Sequence, residues 1–154
     1  MACQLTNIIA AIAGISITAD GITPSVYYGD TIKQGGDNAP MRVILPSDVD
    51  SDNKGTQFAN VGSGTILTVT WKISDLFLLQ RMTTGSGLNQ VADTLVKYVA
   101  AYTDALPGKQ TLLSGAKTTV GGVSFGIGVY QYPVGIDAWY YGVEVRWQVT
   151  EIVT

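Results

Sequence analysis

The acidic run DVDSDNKGTQFA, residues 48–59, is the first place to look for chemistry, because Asp48, Asp50 and Asp52 fall at positions one, three and five of an EF-hand calcium loop. Position six of such a loop needs glycine for its sharp turn, and here it is Asn53. Position twelve needs a bidentate glutamate, and here it is Ala59. No helical periodicity flanks the run, so the aspartates read as a solvated loop and no metal or other cofactor is expected.

The glycines of GGVSFGIGVY could suggest a phosphate-binding loop, but a dinucleotide fingerprint follows a strand and opens a helix. Gly126 and Gly128 instead alternate within a β-prone run, which puts both on one face of a strand, at a bend or a close backbone contact. Tyr130, Tyr132, Trp139, Tyr140, Tyr141 and Trp147 could stack on bases or sugars. Without accompanying Lys and Arg, single-stranded nucleic acid is a poor ligand for them. Trp147 reads as core. Tyr140 and Tyr141 have opposite parity, so one of them is expected to face a partner.

Glu144 and Arg146 are neighbours on one strand face, where an exposed ion pair contributes only ~0 to 1 kcal/mol. The chain has no histidine, which removes the usual general base at neutral pH and rules out serine-histidine and cysteine-histidine nucleophile pairs. Cys3 has no partner for an intrachain bridge. Nothing assembles a nucleophile, a base and an oxyanion hole, and an enzyme is not expected.

Charge points the same way. Nine basic and 12 acidic residues give a net charge of -3, with the bases scattered singly rather than gathered into a nucleic-acid patch. Only 14% of residues are charged, against about 25% in ordinary soluble domains. So much neutral surface suits an assembly subunit.

The elements that must position these residues follow from periodicity. Leu5, Ile8, Ile9 and Ile12 recur at helical spacing and Gly14 ends the run as a C-cap. The run is shorter than the ~20 residues that span a bilayer and no positive residue precedes it, so a docked amphipathic helix is expected rather than a signal peptide or anchor. ISITADGIT and SVYY read as a small hairpin or extended arm, broken by Asp20-Gly21 and Pro24. MRVILP, between Pro40 and Pro46, reads as a short buried strand, and residues 47–64 as a long loop of the kind that is functional or mobile.

A strand from Thr65 to Ser74 follows, with Leu67, Val69, Trp71 and Ile73 on one parity. It continues into DLFLLQRM, apolar on both parities, as if a helix covered one face and a neighbouring subunit the other. Leu88, Val91, Leu95, Tyr98, Val99, Tyr102 and Leu106 form a helical stripe, with Ser86 as N-cap and Pro107-Gly108 as the stop. Residues 109–120 read as a connection. VSFGIGVYQY and AWYYGVEVRWQVTEIV form a closing strand pair joined through residues 133–137.

The expected fold is a single α+β domain over 1–154. It has a mainly antiparallel sheet, an N-terminal helix, and one longer helix at about 88–106 packed on one face. LTVTWKIS and VEVRWQV are expected to share that sheet, covered by the helix through Val69, Trp71, Val145 and Trp147.

This order resembles the tail terminator proteins of long-tailed bacteriophages: a hydrophobic N-terminal helix, the strand APMRVILP, a long loop, TILTVTWKISDLFLL, a Gly-bounded helix, and a final pair ending YYGVEVRWQVTE. The resemblance implies a virion structural protein, assembled in the host cytoplasm, that forms a hexameric ring capping the tail tube and joining it to the head. Its partners would be the tail tube protein and a head-closure or adaptor protein. DNA would pass through the ring without specific binding, and no membrane is involved. Other neck rings, the head-closure and tail-completion proteins, are of similar size. Residues 15–38 are longer than the pattern implies.

A ring joins unlike faces of successive subunits, so the loop 47–64, with Asp48, Asp50, Asp52, Lys54 and Phe58, is the candidate interface arm. Glu144, Arg146 and Gln148 form the candidate lumen or partner face. A small-ligand or carbohydrate-binding module using the Tyr and Trp cluster is the alternative from a different class.

Overall fold

The computed structural model describes residues 3–32, 39–47, 57–59, 67–83, 87–110, 112, 118–133 and 135–153. The first apolar stripe winds into helix α1, Leu5–Ala13, and buries Ile8 and Ile12; Gly14 caps it in a helical rather than left-handed conformation. The second winds into α2, Leu88–Ala105, and buries Val91, Leu95, Tyr98 and Tyr102. Gly87 stands at its N-cap without a side-chain bond, and Ser86 lies outside the described residues.

Strands β1 (Ser25–Tyr28), β2 (Met41–Pro46), β3 (Gln57–Ala59), β4 (Leu67–Arg81), β5 (Thr118–Gln131) and β6 (Trp139–Val153) form one sheet. Its order is β1-β2-β4-β6-β5, with β3 also paired to β4. All pairings are antiparallel except β1 with β2, so SVYY is a parallel edge strand and not part of a hairpin or free arm. What resembles a hairpin in that region is the tight turn at Asp20-Gly21, both at positive φ, bridging Ala19 and Ile22. Ile15, Ile17 and Ala19 are buried, so this segment is a strap packed on the core. Thr94 and Lys97 of α2 hold its Asp20 at 3.0 and 3.3 Å.

The two patterned strands pair as expected. β4 runs beside β6 with Trp71 opposite Val149, Ile73 opposite Trp147 and Phe77 opposite Val143. These residues, with Val145 and both helices, make the main core on what we call the helix face. DLFLLQR belongs to the same strand as LTVTWKIS, and its two-sided hydrophobicity has a cause within the chain. Phe77 and Leu79 enter the main core, while Leu78 joins Met41, Val43, Tyr132, Ala138 and Tyr140 in a second core on the opposite, open face. Residues of the chain itself cover that end of the sheet, so no neighbouring subunit is needed to bury it.

The second core also corrects the reading of the tyrosine pair: Tyr140 is 2% and Tyr141 3% exposed, one in each core. β5 begins at Thr118, inside what the sequence presented as a connection, because threonine and glycine carry little periodic signal.

Candidate functional site

β2 places Arg42 and β4 places Asp75 on the helix face, directly under α2. Both are buried, and the guanidinium meets the carboxylate twice, Nε to Oδ1 at 3.2 Å and Nη2 to Oδ2 at 2.6 Å. The remaining donors go to the end of α1, Nη1 to the Ile15 carbonyl at 2.6 Å and Nη2 to that of Ile12 at 3.2 Å. Asp75 also accepts from the Tyr102 hydroxyl at 2.6 Å, and that oxygen accepts from Trp147 Nε1 at 2.9 Å. Burial opposes the charge on Arg42, but attraction and hydrogen bonding from Asp75 outweigh it and hold the guanidinium above its usual range. The network ties both helices and three strands together and is closed to solvent, which suits architecture rather than turnover.

Burial first, and the charge of Asp75 second, raise the phenols of Tyr98 and Tyr102 above their ordinary value of 10.0. Such a group stabilises the fold fully below its unfolded pKa. The contribution drains as pH rises beyond that, because only the unfolded chain releases the proton. Stability should therefore hold up to about pH 10 and fall steeply above it. The tyrosinate absorbance of these two phenols should appear together with the loss of circular dichroism. Their ionisation in a still-folded chain would contradict the burial.

A second buried acid, Glu151, gathers the N-terminal end of α1. Its Oε1 accepts from the Gln4 backbone N–H at 2.7 Å, and its Oε2 from Trp71 Nε1 at 2.8 Å and Cys3 Sγ at 3.9 Å. A carboxylate at a helix N-terminus also complements the helix dipole.

On the open face, Glu144, Arg146 and Gln148 come together with β4 in a polar ladder. Lys72 Nζ donates to Gln148 Oε1 at 3.0 Å, Ser74 Oγ to Glu144 Oε2 at 3.1 Å and Arg146 Nε to Glu144 Oε1 at 2.5 Å. Thr70 and Thr150 extend it with hydroxyls 3.3 Å apart. Alongside, β5 presents Gly122, Ser124, Gly126 and Gly128, and Tyr130 folds back so that its hydroxyl donates to the Gly126 carbonyl. A Cβ at Gly122 or Gly128 would meet nothing within 4 Å, whereas one at Gly126 would stand 3.0 Å from the Tyr130 hydroxyl.

Of the arm residues, Asp48, Asp50, Asp52 and Lys54 lie outside the described residues, and the backbone of Phe58, on β3, pairs with Val69 of β4. The aromatic group does not form a shared platform: Trp147, Tyr141, Tyr140 and Tyr132 are divided between the two cores, while Trp139 is 40% exposed. Among the described residues, no group of three or more His, Cys, Asp or Glu could hold a metal, and no helix is long and apolar enough to cross a membrane.

Sequence reading missed the Arg42–Asp75 pair and Glu151, although a signal was present. Asp75 interrupts the helix-face parity between Ile73 and Phe77, and Glu151 continues the parity of Val145, Trp147 and Val149. A charged residue on a core parity marks a buried partnership. No protein-family model matches the chain, and no curated protein matches it in sequence.

Proposed function

We propose that this chain is a structural subunit of a phage virion, a ring protein at the head–tail junction that caps the tail tube and joins it to the head. The observation that carries this reading is the layering. The N-terminal helix and α2 share one face of a single sheet, and the long strands β4 and β6 present a polar ladder on the other. Of the two cations on that ladder, Arg146 is ion-paired with Glu144, and Lys72 is held in place by the neutral amide of Gln148. Such a wall offers DNA little lasting phosphate contact and offers a protein neighbour many donors and acceptors.

The hydrogen-bonded charges are built into networks that position strands: Asp75 holds Arg42 and Tyr102, Glu144 holds Ser74 and Arg146, and Glu151 holds Trp71 and the start of α1. An assembly role therefore accounts for the buried groups better than a reaction does. Other neck positions, the head-closure or adaptor ring, would use the same architecture, and the choice among them depends on what the ring binds. The purified chain, alone and mixed with tubes of its own tail protein, should give rings by negative-stain microscopy and tubes closed at one end. Monomers that leave the tubes uncapped would reject the tail-terminator reading. Rings that bind head connectors but not tubes would move the protein to the other side of the junction.

A further inference from the structure

β5 is the last strand of the sheet, and no described strand pairs with its outer side. Its beginning is occupied: the Val120 N–H donates to the Gln110 carbonyl at 2.7 Å, and the register is irregular between Val120 and Gly122. The outer edge from Val123 to Gln131 has no such cover among the described residues. Folded proteins blunt such edges with charge, proline, bulges or brevity. VSFGIGVYQ contains no charged residue and no proline, while Ile127 is 44% and Val129 37% exposed beside the edge. The opposite side of the sheet is protected. β1 has 4 residues and β3 has 3, and the Thr31 hydroxyl occupies both the N–H and the carbonyl of Tyr28.

We propose that a second copy of this chain covers the edge, β5 against β5, antiparallel about a two-fold axis at Ile127. Ile127 is the midpoint of the run from Val123 to Gln131, so an axis there pairs the whole uncovered edge with itself. Phe125 then lies opposite Val129 of the second copy on the helix face. On the open face Gly126 lies opposite Gly128, and Ser124 opposite Tyr130. Apolar residues meet apolar ones, glycine meets glycine, and no like charges are brought together. An isologous contact needs this self-complementarity, and no other described edge of the sheet offers a run of comparable length. The pairing does not rest on the ring reading, because a polar ring joins unlike faces and a two-fold joins like ones.

The test is light-scattering mass and hydrogen exchange on the full chain across a concentration series. A dimer that dissociates on dilution is expected, with amides of residues 123–131 protected only in the dimer. Ile127→Lys sets two ammonium groups against each other at the axis. It should leave a monomer that melts where the dilute, dissociated wild type does, since this side chain is already exposed; Val129→Lys serves if that variant folds poorly. In a Cys3→Ser background, Ile127→Cys should oxidise to a linked dimer and nothing larger.

A monomer at every concentration, or a dimer untouched by the lysine variants, would overturn the proposal. Rings in which the Ile127→Cys variant does not self-link would overturn the two-fold seam and leave the ring reading standing. A dimer abolished by lysine, with tubes left uncapped, would support the seam and remove the ring.

Discussion

Gly142→Ala is expected to cost ~3 kcal/mol or more and to lower the melting temperature by about 6–12 °C, unless it prevents folding altogether. Gly142 sits in β6 opposite Leu78, immediately before the register shift between Leu78 and Gln80. That irregularity drives the Phe77 peptide against β6: a Cβ on Gly142 would stand 2.0 Å from the Phe77 carbonyl oxygen and 3.1 Å from its carbon. The obstacle is backbone, which no rotamer change can relieve, so β4 and β6 must separate where both cores depend on them. Gly128, its partner on β5, is the control, since a Cβ there meets nothing within 4 Å. Gly128→Ala should be neutral or stabilise by up to ~1 kcal/mol through the unfolded chain. Urea unfolding followed by tryptophan fluorescence measures both, and equal effects from the two alanines would refute the close approach at the bulge.

The presence of two cores explains where the sequence was legible and where it was not. Strict alternation from Leu67 to Ile73 and from Val143 to Val149 identified two strands, their shared face and the helix that covers it, because that face is buried by regular elements. Beyond Ile73 the pattern breaks down. Leu76, Phe77, Leu78 and Leu79 alternate regularly, but Phe77 and Leu79 serve the main core while Leu76 and Leu78 serve the second one on the opposite face. The second core is made by residues distant in sequence, Met41 and Val43 with Tyr132, Ala138 and Tyr140, so no local period announces it.

For the same reason Tyr140 and Tyr141 could both be core against the parity argument. The parallel pairing of β1 was equally illegible, since four residues carry no direction and only the register with Met41–Ile44 supplies it. As for the candidate surface, alternation alone put Glu144, Arg146 and Gln148 on one face. The uncharged edge of β5 became visible only when the sheet order set that strand last.

Asp75→Asn should destabilise the chain by ~3–5 kcal/mol, although it changes almost no volume, because it leaves the Arg42 charge buried without its counterion. Removing both partners tests whether the pair itself stabilises the fold. Arg42→Met with Asp75→Leu would often be neutral or better at a buried ion pair, since neither charge then has to be desolvated. Full recovery is not expected here. The guanidinium also donates to the carbonyls of Ile12 and Ile15, and Asp75 is the acceptor for Tyr102. The double variant would leave the Ile15 carbonyl without this donor and a buried hydroxyl without this acceptor, each costing ~1–3 kcal/mol, while the Ile12 carbonyl keeps the Ile15 N–H. The double variant should therefore recover part of the loss of Asp75→Asn and remain below the wild type, with strong coupling in the cycle built from Arg42→Met and Asp75→Leu. Adding Tyr102→Phe removes the stranded hydroxyl but takes the acceptor from the buried Trp147 Nε1, so it should bring no recovery. Simple additivity of Arg42→Met and Asp75→Leu, or a double variant more stable than the parent, would show that the pair does not anchor the end of α1 to the sheet.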